Sequence, residues 1–167
     1  MAFLSKKAIE NTKKKSGNYF ELEAGKNKLR VLSAAAWGFR FNWENKDEGK
    51  DLGYPFFKEE DAAVEKYGEK LSHVARFVVY SYDSESIGVL TLHQKTIFTA
   101  INEYEEMEEY GPVQDYDLII NKNGEGTQTR YTCTALPSKP LAKEVQEKVD
   151  ATEYVLENAY EGKSIIL

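Results

Sequence analysis

Hydrophobic positions along the chain recur with two periods, and the change from one to the other marks out the elements. Phe20 and Leu22 precede the turn signal "EAGKN"; Leu29 and Val31 follow it, alternating with Lys28 and Arg30. A spacing of two puts one set of side chains on one face of a strand, so residues 19–33 read as a hairpin. The alternation is sharpest in "AWGFRFNW", residues 36–43, where Trp37, Phe39, Phe41 and Trp43 take every second place. "HVARFVVYSYD", residues 73–83, sets Arg76, Val78, Tyr80 and Tyr82 on one face and Phe77, Val79 and Ser81 on the other. "IGVLTLHQ" is predicted to pair with it through the turn "SES". From Lys95 the period lengthens to that of a helix, with Ile97, Phe98, Ile101 and Tyr104 in one stripe and Gly111-Pro112 as its stop. "YDLIIN" and "TRYTCTAL" flank "KNGEGTQ", whose Asn123-Gly124 signals a second hairpin. A last helical stripe joins Leu141, Val145, Val149, Thr152, Leu156 and Ala159.

The elements run strands, helix, then a two-strand hairpin. That order predicts a mainly β chain built as an OB-fold-like five-stranded barrel, with a helix between strands and additional helices near the termini. The rival is a generic mixed α+β sheet. Residues 1–18 read as a basic N-terminal arm, 19–137 as the core and 138–167 as a C-terminal helical segment. The Gly- and charge-rich loop "ENKDEGKDLGYP" leads into a short helix over residues 59–67.

Charge changes this picture by its distribution. The 167 residues carry a net charge of -6, which argues against a polyanionic ligand. Residues 1–50, however, hold 11 Lys and Arg against 6 Asp and Glu, a balance of +5 around the aromatic strand. A local basic surface is what a phosphate chain feels within a Debye length of roughly 8–10 Å. The single cysteine, Cys133, excludes an internal disulfide, and no apolar run reaches transmembrane length. The reading is a soluble, intracellular protein.

Candidate chemistry is sparse. One cysteine with His73 and His93 does not make a zinc site, and no nucleophile-elbow, zincin or P-loop motif occurs. Asp115 and Asp117 form a D-x-D pair that could hold Mg²⁺ for a nuclease, against the plainer reading of solvated carboxylates at a strand entry. Cys133 is expected to pack as a small apolar group. What remains is aromatic residues interleaved with cations, the chemistry of stacking on bases beside a phosphate groove. The ring candidates are Trp37, Phe39, Phe41, Trp43, Tyr80 and Tyr82. The cations are Lys28, Arg30, Arg40, Lys46, Lys50, Arg76, Lys95, Lys122 and Arg130. For each ring, core packing is the competing reading; Trp37 and Trp43 are expected to face a groove, and Phe77 and Ile119 to fill the barrel. No cofactor is implied. An OB module binding protein or oligosaccharide is the alternative from another class.

The series "YFELEAGKNKLRVL", "WGFRFNW", "ARFVVYSYD", "VLTLHQKTIFTAI" and "YDLIINKNGEGTQTRYTCTALPSKPL" resembles tailed-phage single-stranded DNA-binding proteins of the helix-destabilising kind, over about residues 19–143. The resemblance implies an OB-fold and sequence-independent binding of single-stranded DNA. It also implies a part in phage DNA replication, recombination and repair, in the cytoplasm of the infected bacterial host. In that family a basic arm serves self-association along the strand, and Lys13, Lys14 and Lys15 of "KKKS" look similar. The zinc-binding insertion of some relatives has no counterpart here. The acidic tail that recruits replication or recombination proteins finds no match in "GKSIIL".

Overall fold

The computed structural model describes residues 19–41, 71–161 and 163–167, with 39–41 and 71–72 as backbone. The predicted arm with Lys13, Lys14 and Lys15, the helix at 59–67, and Trp43, Lys46 and Lys50 lie outside the described residues. The strands are β1 (Tyr19–Phe20), β2 (Gly25–Val31), β3 (Ala36–Phe41), β4 (Leu71–Ser81), β5 (Ser86–Leu92), β6 (Asp117–Asn123) and β7 (Arg130–Ala135). Helix α1 (Lys95–Glu105) lies between β5 and β6, and α2 (Lys143–Asp150) follows β7. The chain is mainly β, as its alternation predicts. The strands form one mixed sheet in the order β1-β5-β4-β2-β6-β7, with β3 also on β4. The described strands do not close into a barrel.

β4 is the hub. One of its edges takes β5, register Phe77 to Leu90, through the predicted turn. Its other edge takes β2 and β3 end to end, with Val31 opposite Val79 and Ala36 opposite Arg76. Residues 32–35 therefore face only Phe77 and Val78, a bulge of two extra residues. The Leu32 amide still reaches the Val78 carbonyl at 2.8 Å, and the Val78 amide donates to the buried Ser33 hydroxyl at 2.9 Å. Ser33 Oγ in turn donates to the Ala34 carbonyl at 2.7 Å. One side chain thus supplies the acceptor that the interrupted ladder withdraws.

The alternation sorts side chains onto two faces. The first carries Leu29, Val31, Ala75, Phe77, Val79, Leu90, Leu118 and Ile120, closed by Ile97 of α1 and by Tyr116. Phe98, Ile101 and Tyr104, the rest of the predicted helical stripe, pack against this core. The second face carries Ala36, Val74, Val78 and Val89 and is covered by Ala159 and Ile165 of the C-terminal segment.

Three expectations are corrected. Residues 19–31 are not a hairpin: β1 runs parallel to β5, with Tyr19 opposite Val89, and β2 pairs with β4 and β6. The reason is Asn27. Its Oδ1 accepts from the Glu23 amide at 2.9 Å, and its Nδ2 donates to the carbonyls of Glu23 at 2.9 Å and Ile120 at 3.0 Å. The turn is thus satisfied by a side chain rather than by a returning strand. The final stripe is not one helix either. α2 stops at Asp150, Thr152 Oγ1 donates back to the Lys148 carbonyl at 2.8 Å, and a separate 3₁₀ segment, Leu156–Glu161, delivers Ala159 to the core. Phe77 fills the core as expected, but Ile119 stands half-exposed on the second face.

Candidate functional site

Trp37 stands at the surface of β3. Its register partner is Ala75, so the indole stands on the first face. Phe98 of α1 lies beside it at 5.0 Å between ring centroids, and His73 of β4 at 5.2 Å. The indole is nevertheless 45% exposed. From behind, the Tyr160 hydroxyl donates to the Trp37 carbonyl at 2.7 Å and ties β3 to the C-terminal segment. Between the bulge and α1 an open cleft of about 510 Å³ begins at Trp37. Ala34, Ala35, Phe98 and Ile101 form its apolar walls; Asn102, Glu105 and Gln114 bring polar groups to it. A cleft of that size, apolar with a few polar groups, is the usual form of a small-ligand site. The sequence reading named Trp37 but missed its companions. Phe98, part of the predicted helical stripe, both packs against the core and flanks the indole.

Arg30 is not a phosphate contact. It is 2% exposed, and its Nε donates to Asp117 Oδ1 at 2.8 Å. Its Nη atoms donate to the carbonyls of Gln114 at 3.2 Å and Lys139 at 3.0 Å. Asp117 is wholly buried and also accepts from the Tyr82 hydroxyl at 2.8 Å. The D-x-D pair is thereby split: Asp117 answers Arg30, and Asp115 lies exposed in a 3₁₀ turn. Asp117 is therefore not a solvated carboxylate at a strand entry, and it is engaged by Arg30 and Tyr82 rather than paired with Asp115. Local alternation set Arg30 beside Lys28 on an outer face, whereas β6 brings a carboxylate from 87 residues away.

Tyr80 is likewise removed from the stacking candidates. It is 4% exposed, with the Tyr82 ring edge-on at 5.0 Å and Lys148 Nζ 6.0 Å from its centroid. Tyr82 is half-buried under Lys28 Nζ, 4.5 Å from its ring. Burial, then its bond to Asp117, pushes the Tyr82 phenol up to about 12. Arg76 is half-buried on the second face, where desolvation lowers its pKa. Arg130 is exposed and curls onto its own turn, donating to the Thr129 carbonyl at 3.0 Å. Lys122, on the first face, reaches the Leu22 carbonyl at 3.4 Å. Lys95 is exposed at the start of α1, one turn ahead of Phe98. Phe39 and Phe41 share Trp37's register parity and Arg40 the opposite one. The candidates therefore do not form one surface: Lys28, Arg76, Tyr80, Tyr82 and Arg130 belong to the second face, Trp37 and Lys122 to the first.

Cys133 is half-buried, and burial pushes its thiol up to about 12, so it is not a thiolate at neutral pH. Among the described residues no three His, Cys, Asp or Glu side chains converge as a metal site. No family model matches the chain, and neither a curated protein nor a solved structure matches it.

Proposed function

We propose that the protein binds single-stranded DNA without sequence-wide preference and without cleaving it, and serves replication and recombination as a strand-coating protein. The observation that carries this reading is the half-exposed Trp37, with Phe98 and His73 as neighbouring rings, lining an open cleft. A flat ring on a sheet surface offers every base the same stacking partner, about 1–3 kcal/mol per base. Lys95, exposed at the start of α1 one turn ahead of Phe98, and the basic balance of residues 1–50 supply attraction for the backbone.

The topology supports an OB-type reading of the fold. If β2 and β3 are taken as one bent strand, five principal strands remain, with α1 between the third and the fourth. The bent strand pairs with both β4 and β6; β7 ends one arm of the sheet, and β5, edged by the two-residue β1, lies at the other. Joining β5 to β7 would complete a small Greek-key barrel. α1 packs against β7.

The test uses a Trp43→Phe chain, in which Trp37 is the only tryptophan. Oligo-dT should quench its emission. Trp37→Ala should weaken oligo-dT binding by about 1–3 kcal/mol in a chain that still folds. Parental affinity in a folded Trp37→Ala chain would overturn the reading.

A further inference from the structure

The cleft beyond Trp37 is not a plain stacking platform, because its far end is polar and acceptor-rich. Asn102 and Glu105 lie three residues apart on α1, so they share one helix face. Gln114 enters from the 3₁₀ turn Val113–Asp115. Glu105 Oε1 accepts from the Val113 amide at 3.4 Å, which links the carboxylate to that turn. An ionised carboxylate only accepts hydrogen bonds. Glu103, Glu106, Glu108 and Glu109 surround this end in sequence, so a phosphate is repelled there and a neutral base is not.

We propose, resting on the single-strand reading above, that this cleft selects among bases: it takes a nucleobase stacked on Trp37 with its Watson–Crick edge toward Glu105, and it takes guanine best. Guanine presents N1–H and the 2-amino group side by side, two donors that one carboxylate receives together. Cytosine and adenine present one amino group each. Thymine sets its single N3–H between two carbonyl oxygens, which face the carboxylate as like charges. The amides of Asn102 and Gln114 both donate and accept, so they suit any edge and do not reverse the order. Coating of mixed sequence stays general, because only the base that enters the cleft is read.

The experiment compares three labelled twelve-nucleotide strands by fluorescence anisotropy: all thymidine, thymidine with one central guanosine, and thymidine with one central inosine. Inosine keeps N1–H and lacks the 2-amino group. The guanosine strand should bind about tenfold more tightly than the thymidine strand, with inosine between, as expected for one added bond to a charged acceptor. Glu105→Gln should reduce the guanosine-to-thymidine ratio to within about twofold. Equal affinity for all three strands overturns the base-reading cleft and leaves the stacking role standing. A guanosine preference undiminished in Glu105→Gln overturns the role of the carboxylate. Failure of every strand to bind overturns the single-strand reading and this inference with it.

Discussion

Replacing Arg30 by alanine separates a structural cation from a DNA-binding one. In the parent, the guanidinium meets Asp117 at 2.8 Å and two backbone carbonyls, all at a site where Arg30 is 2% and Asp117 0% exposed. Its removal leaves Asp117 with the Tyr82 hydroxyl and with Lys139 Nζ at 3.7 Å, on a side chain 57% exposed. A buried carboxylate deprived of its partner costs about 3–5 kcal/mol, a large part of the roughly 5–15 kcal/mol that holds a domain folded. The assay is urea unfolding followed by circular dichroism, with oligo-dT binding measured at temperatures where the variant is folded. The midpoint should drop steeply while the folded fraction binds as the parent does. Adding Asp117→Asn should recover part of the loss, with a coupling of about 1–3 kcal/mol in a double-mutant cycle. A loss of stability under about 1 kcal/mol, together with weakened binding, would refute the buried-pair account.

Ser33→Ala removes the acceptor for the buried Val78 amide and should lower stability by about 1–3 kcal/mol, read from the same urea curves. Stability should also fall as pH rises above about 9. Burial raises the Cys133 thiol from 9.0 and the Tyr82 phenol from 10.0, each to about 12, so the unfolded chain loses these protons first and binds fewer of them across that window. Cys133→Ala should flatten the early part of the fall; an unchanged curve would show that the thiol does not contribute. Oligo-dT affinity should decline with salt at a slope of about -2 to -3.5 on a log–log plot if about 3–5 phosphates are neutralised, and a slope near zero would remove the electrostatic part of the proposal.

The parts of the fold that were legible are those where the cause is local. The β4–β5 hairpin and α1 each carry their period in consecutive residues, and both lie where that period predicts. The parallel contact of β1 with β5 left no trace in either segment, because it depends on Asn27 closing the turn after β1 from within. Arg30 and Tyr80 were misread for a related reason. Alternation shows which face a residue occupies, but not what lies over that face; Asp117 and Lys148 come from distant parts of the chain. Trp37 was legible as a surface ring because four aromatics on one strand exceed what a small core holds. The polar end of its cleft was not, since Asn102, Glu105 and Gln114 come from two elements and no local period links them.

The bulge at residues 32–35 imposes an arithmetic of its own on this chain. Its two surplus residues are an even number, so side-chain parity passes unchanged from β2 into β3, and Val31 and Trp37 emerge on the same side. Losing one residue there would shorten the chain by 0.6% of its length yet turn β3 over, sending the indole toward the C-terminal segment. Losing two would straighten the ladder and keep every side chain on its side. Changes of two residues in this segment thus preserve which face each side chain takes and changes of one reverse it, much as a coding frame keeps its reading only for indels of three.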